Sequence, residues 1–222
     1  MLSGYQKSQK SCDTRLPITS TILCDLVKSV PFVCESFFSR ILIKAMYLLA
    51  FYAFLRIGEI TIKNGYSAHC IRRDNIVFIF YDDHHKPSGF ELSFHSFKHS
   101  TGKSKPTLLI KSIQQPEFCP VDSLFKYCNL RDDSPGPLFM FMDGSPVTYN
   151  YFNQHLQLSL KWANLDCKVY KGHSFRIGAA TTAAALGISD ENIQIMGRWH
   201  SNAFKKYIRI PSKTLPPYAN NM

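Results

Sequence analysis

The sequence predicts a mainly α-helical domain that carries a small three-stranded antiparallel β-sheet as an insertion. Three observations lead there. Apolar residues recur at helical spacing on both sides of a central stretch, that stretch (residues 68–113) switches to short β-branched and aromatic runs, and turn chemistry separates those runs. The length of 222 residues suits one full domain, and 45% apolar residues with 14% aromatics suffice for a core.

The elements follow in order. Residues 1–16, rich in Ser, Lys and Gln, read as a flexible leader, and residues 17–30 form a helix through Ile22, Leu26 and Val30 that Pro31 stops. Ser36 caps a second helix through Phe38, Ile41, Leu42, Ala45, Leu48, Leu49, Tyr52 and Leu55. It is apolar over more than half its circumference and is the expected buried helix. Strands are expected at residues 75–81, 90–97 and 107–110, with turns at 82–89 and 99–106. Helices resume at 121–131 and, after a Pro and Gly rich loop, behind a Thr148 cap to about Ala163. The last part predicts a helix over 173–186 ended by Gly187, a short one over 190–196 capped by Ser189, and a final one capped by Ser201.

Composition narrows the function. Lys and Arg number 26 against 16 Asp and Glu, a net charge of +10. Such an excess suits a polyanionic partner, because cations along a groove displace the counterions condensed on nucleic-acid phosphates. The apolar run at residues 45–55 is too short to span a bilayer, and the N-terminus has no signal-peptide pattern, so an intracellular protein is expected. The seven cysteines are scattered, without a C-x-x-C pair, and read as free thiols in a reducing compartment rather than as a metal site. Neither a metal nor an organic cofactor is expected.

Two basic clusters stand out. Residues 98–111 hold four lysines and no acid, and residues 168–209 hold seven Lys and Arg against Asp190 and Glu191. A solvated charged face is the plainer reading of either cluster. The sharper signal is His173-Ser174-Phe175-Arg176 at a helix start, where i, i+3 spacing puts imidazole and guanidinium on one face beside a helix N-terminus, which favours an anion. At the end of the apolar helix, Arg56 precedes Glu59 at i+3, either as an ordinary ion pair or as a second phosphate clamp that Glu59 holds in place.

Taken together, Leu55-Arg56-Ile57-Gly58-Glu59-Ile60, the run from Lys171 to Ala180, Gly197-Arg198-Trp199 and Tyr207-Ile208-Arg209 resemble the catalytic domain of the tyrosine recombinases, the phage-integrase family. The flavour is similar to eukaryotic Crypton-like or DIRS-type mobile elements. The resemblance covers residues 17–211, leaving a tail at 212–222 that Pro211, Pro216 and Pro217 suggest is extended.

The resemblance implies site residues one by one. Arg56, with Glu59 in support, matches the first arginine, and His173 and Arg176 match the H-x-x-R pair. Trp199 matches the later phosphate contact, with His200 the competing assignment. Tyr207 matches the nucleophile, one residue closer to Trp199 than the pattern of phage enzymes. Lys98 best matches the hairpin lysine. Lys103, Lys105, Lys171, Arg198, Lys205 and Lys206 are expected along the DNA backbone.

The chemistry suits those residue types. A phenol oxygen attacking a phosphodiester passes through a five-coordinate phosphorus with extra negative charge, which preorganised guanidinium and hydrogen-bond donors stabilise without a metal. A phenol, of pKa about 10, needs a proton acceptor to be a nucleophile at neutral pH, and a lysine can protonate the leaving 5′ hydroxyl. The resemblance implies a 3′-phosphotyrosyl intermediate, double-stranded DNA as partner, assembly as a homotetramer on DNA, and nuclear residence in a eukaryotic host. Relatives carry a separate N-terminal core-binding domain, and only a leader and one helix precede the catalytic region here. The alternative is therefore a catalytically inactive, element-derived DNA-binding protein.

Overall fold

A computed structural model describes residues 13–63, 69–81, 86–94, 106–131 and 133–209. Most of the expected leader, parts of both sheet turns, the C-terminal tail, Cys12 and the lysines at 98, 103 and 105 lie outside the described residues.

Helix α1 (Ser20–Val33) begins at Thr19, whose side chain accepts the Ile22 N–H. It runs through Pro31 instead of stopping there. Pro31 falls in the last turn, where its missing N–H leaves only one intrahelical bond unmade, and the helix continues until Cys34 leaves the helical conformation. Helix α2 (Phe37–Tyr52) starts with a capping box: Ser36 Oγ accepts the Ser39 N–H at 3.0 Å and Ser39 Oγ accepts the Ser36 N–H at 3.1 Å. From Ala45 to Phe51 every residue of α2 is buried. Having no charged side chain between Lys44 and Arg56, this segment can be packed on all sides, by α1, by α3 (Pro120–Leu130) and by α5 (Ser174–Ala185).

The sheet is antiparallel in the order β1 (Ile76–Ile79), β2 (Gly89–Ser93), β3 (Thr107–Lys111). Pairing of Ile76 with Leu92 and of Phe90 with Ile110 sets a buried face, whereas Val77 and Leu109 flank Glu91 on the exposed one. All three strands are present: β1 is shorter at both ends than the sequence suggests, β2 begins one residue earlier and stops at Ser93, and β3 gains Lys111. Helix α4 (Tyr149–Trp162) is capped by Thr148, and α6 (Asp190–Met196) by Ser189, as read from sequence. The last element is a 3-10 helix, Asn202–Tyr207, capped by Ser201.

Residues 13–18 do not behave as a detached leader. Leu16 N–H donates to Val169 O and Ile18 N–H to Ser174 O, both at 3.0 Å, so the chain lies across the start of α5. Gly178 permits that approach, because a Cβ there would stand 1.7 Å from the Ile18 carbonyl oxygen. The six described cysteines are free, with Cys34, Cys119 and Cys128 buried. Among the described residues no helix is long and apolar enough to cross a membrane.

Candidate active site

The site forms where the C-terminal ends of α2 and α6 meet the N-terminal end of α5. Helix C-termini leave carbonyls without intrahelical donors. Phe54, with φ of 51°, and Arg198, with φ of 55°, turn the chain sharply after each of the two helices. Two arginines satisfy the exposed carbonyls. Arg176, fully buried on α5, donates one Nη to the Phe54 carbonyl and the other to the Gly197 carbonyl. Arg198 donates to Ala53 O at 3.1 Å and to Met196 O at 3.4 Å.

Glu59, in the 3-10 turn Ile57–Glu59, is buried between cations. Its Oε2 accepts the Arg56 N–H at 2.8 Å and Arg198 Nη2 at 3.2 Å, while Oε1 takes Arg56 Nη1 at 3.3 Å. The expected Arg56–Glu59 pair is therefore present, and Arg198 is a second partner that sequence reasoning missed. Arg198 was expected on the DNA backbone. Its side chain is instead only 4% exposed and packs 3.8 Å from the Phe94 ring centroid, because the left-handed turn after Gly197 aims it inward at Glu59.

Three rings gather at Arg176, those of Trp199, Tyr207 and, beyond it, His173. Its guanidinium carbon lies 4.2 Å from the Trp199 ring centroid and 6.0 Å from that of Tyr207. The Tyr207 ring sits 5.1 Å from Trp199 and 5.2 Å from His173. Gly197 has to be glycine for this arrangement, since a Cβ would fall 1.6 Å from Trp199 Cζ3. Nε of Arg176, Nε of Arg198 and Nε1 of Trp199 are buried donors without a hydrogen-bond partner. A cleft of about 570 Å3 opens beside them, lined by Arg56, Arg198, Trp199, His200, Ser201, Ala203 and Tyr207.

The electrostatics are those of an anion site. Among the described residues, Arg56 and Arg198 pair with the single buried carboxylate, that of Glu59, whose charge also acts on Arg176. Burial, followed by the charges of Arg56 and Arg198, lowers the Arg176 pKa to about 9, still cationic at neutral pH. Burial likewise lowers that of Arg198. His173 is pushed down to about 4 by burial and then by the charges of Arg15 and Arg176, so its imidazole is neutral at pH 7. Negative charge placed in the cleft would oppose each of these shifts by favouring the cationic form.

Of the remaining candidates, His200 alone among the described residues lines the cleft. His200 is exposed there, whereas Trp199 lies deeper, against Arg176. Lys171 turns its Nζ to Cys167 O at 2.7 Å, and Lys205 pairs with Asp190 at 3.0 Å. Lys206 is exposed. The hairpin lysine candidates at 98, 103 and 105 lie outside the described residues; Phe94, the last described residue before them, packs on Arg198. Arg15, placed by sequence in the leader, is held by Asp13 at 2.8 Å and contributes positive charge at His173. Only its distance along the chain from the motifs concealed it.

No known protein-family model matches the chain, and neither does any curated protein. Solved structures do. The chain is similar to XerH site-specific recombinase bound to palindromic difH substrate in a post-cleavage complex, at 14% identity over 90% of this chain and 50% of that chain, with a TM-score of 0.62. It is also similar to the Tn1549 transposon integrase in complex with circular intermediate DNA, at 13% identity over 89% of this chain and 62% of that one, with a TM-score of 0.51. The chain thus spans about half the length of the XerH chain it matches. Its fold is that of a tyrosine recombinase catalytic domain, helical with a small three-stranded antiparallel sheet.

Proposed function

We propose that the chain is a DNA-binding recombinase or integrase domain that breaks and rejoins DNA through Tyr207. The observation that carries this reading is the packing of Tyr207 against His173 and Trp199, within 6.0 Å of the Arg176 guanidinium, beside a cleft that Arg56 also lines. Tyr207 Oη attacks the scissile phosphorus, forming a phosphotyrosyl bond as the bond to the 5′ oxygen breaks. The neutral His173 ring offers an acceptor for the phenol proton, and Lys98 supplies a proton to the departing 5′ hydroxyl. Arg56, Arg176 and the Trp199 N–H stabilise the charge that gathers on the non-bridging oxygens, the term that lowers such barriers most. Attack by a 5′ hydroxyl on the phosphotyrosyl bond reverses these transfers and needs neither ATP nor a metal.

The solved relatives are DNA-bound recombination proteins, which supports double-stranded DNA as the partner. On the motif resemblance we extend the proposal to a mobile-element recombinase of Crypton-like or DIRS-type, acting as a homotetramer on DNA in the nucleus of a eukaryotic host. A second reading, a DNA-binding protein that does not turn over, is favoured by one observation: both Nη atoms of Arg176 already donate to backbone carbonyls. Incubation with a nicked suicide duplex, chosen from a random-sequence pool by affinity for the chain, separates the two. A covalent adduct supports strand transfer, and binding without an adduct supports the second reading.

A further inference from the structure

We propose that Thr181 is a positioning residue for Tyr207, its hydroxyl fixing the backbone from the carbonyl of the nucleophile to the amide two residues on; the inference rests on the strand-transfer reading above. Thr181 lies buried on α5, away from the cleft lining. Its Oγ1 donates to the Tyr207 carbonyl at 3.1 Å and accepts the Arg209 N–H at 3.0 Å. One hydroxyl thus acts as donor and acceptor at once and brackets residues 207–209.

A helical threonine commonly returns its hydroxyl proton to the carbonyl four residues earlier. Thr61 does this within its own turn, donating to Ile57 O at 2.8 Å. Thr181 spends its hydroxyl on a different element. That element needs the help, because 3-10 geometry has poorer hydrogen bonds than an α-helix, and Tyr207 is the final residue of its 3-10 helix. Toward the N-terminal side, the segment is held by the Ser201 cap and buried Phe204. Beyond Tyr207, the Ile208 N–H donates to Lys205 O at 3.3 Å, and Arg209 reaches the Asp13 carbonyl at 3.3 Å from a half-buried position. The Thr181 hydroxyl is the buried tie at the point where the ring must stay between His173 and Trp199.

The chemistry makes position expensive. A nucleophile displaced by about 1 Å can lose a hundredfold in rate. Thr181→Val keeps the branched shape and removes only the hydroxyl, Thr181→Ala removes it without a branched replacement, and Thr181→Ser keeps it. Each full-length variant is compared with the unaltered chain for single-turnover adduct formation on the selected nicked duplex, for affinity toward that duplex, and for hydrogen exchange at the Arg209 amide.

The Val and Ala variants are expected to form adduct between about tenfold and a hundredfold more slowly, with unchanged DNA affinity and faster exchange at Arg209. Thr181→Ser restores both rate and protection. The proposal is overturned if Thr181→Val and Thr181→Ala cleave at the unaltered rate, if Thr181→Ser is as slow as they are, or if affinity falls in step with rate. Absence of adduct from the unaltered chain removes the strand-transfer reading and this role with it, whereas adduct there and normal rates in the variants overturn this role alone.

Discussion

Trp199 lies over the guanidinium of Arg176, 4.2 Å from ring centroid to carbon, and the Tyr207 ring sits 5.1 Å from the same indole. The indole therefore joins the buried cation to the phenol. Such a stack contributes on the order of 0.5–2 kcal/mol. It also keeps Arg176 beneath an aromatic lid, its planar fork oriented by the ends of α2 and α6 rather than by solvent.

Gly197→Ala places a methyl where the Trp199 ring now lies. The indole must move, which costs roughly 1–3 kcal/mol of stability as other overpacking does. With Trp162→Phe as background, Trp199 is the remaining tryptophan, and its emission is expected to shift to the red as the ring leaves its packed position. An unmoved spectrum and an unchanged unfolding midpoint would show that the Gly197 contact is not tight.

Glu59 serves two guanidinium groups, and Arg198 is almost fully buried. Glu59→Ala leaves that charge without its counter-ion, a loss on the order of 3–5 kcal/mol when one partner of a buried pair is removed. Urea unfolding measures it. Glu59→Gln, which keeps an oxygen acceptor for Arg198, is expected to lose less; equal losses would mean that shape rather than charge holds this turn.

His173 makes stability depend on pH. In the native chain its imidazole resists protonation down to about 4, whereas an unfolded histidine titrates near its ordinary value of 6.5. Below that value the unfolded state takes up the proton and the native state does not, so stability is lost as pH falls through this window and is fully present above it. Between pH 7 and pH 5 the loss from this group is about 2 kcal/mol. Arg15, Arg176 and Arg56 oppose the charged form, and Asp13 favours it. Guanidinium chloride titrations at the two pH values should give a smaller difference for His173→Gln than for the unaltered chain; an identical difference would contradict the depressed value.

Strand transfer by arginine, histidine and tyrosine draws on no divalent ion. Adduct formation is therefore expected to continue in excess EDTA at the rate seen with magnesium, and its abolition by chelation would argue for metal-dependent chemistry.

Much of the fold was legible because it is written locally. Ser36, Thr148, Ser189 and Ser201 each cap the helix that follows, and the alternation around Phe90 and Leu92 marks the sheet. Pro31 misled because a proline in the last turn of a helix removes only one bond. At the site, residue types and order along the chain singled out Arg56, His173, Arg176, Trp199 and Tyr207, which the structure brings to one place. Apart from Glu59 beside Arg56, their partners were not legible. The carbonyls that hold Arg176 belong to helix ends more than twenty residues away on either side, the inward turn of Arg198 depends on one left-handed residue, and Arg15 joins only because residues 13–18 lie across α5.

The central claim is that Tyr207 becomes covalently joined to DNA. The direct measurement is mass spectrometry of the peptide carrying the adduct after reaction with the selected nicked duplex. The account predicts a nucleotide on Tyr207 in the unaltered chain and none in Tyr207→Phe, which still binds the duplex because the arginines around Glu59 are untouched. Equal adduct from Tyr207→Phe, or an adduct mapped to another residue, would contradict it.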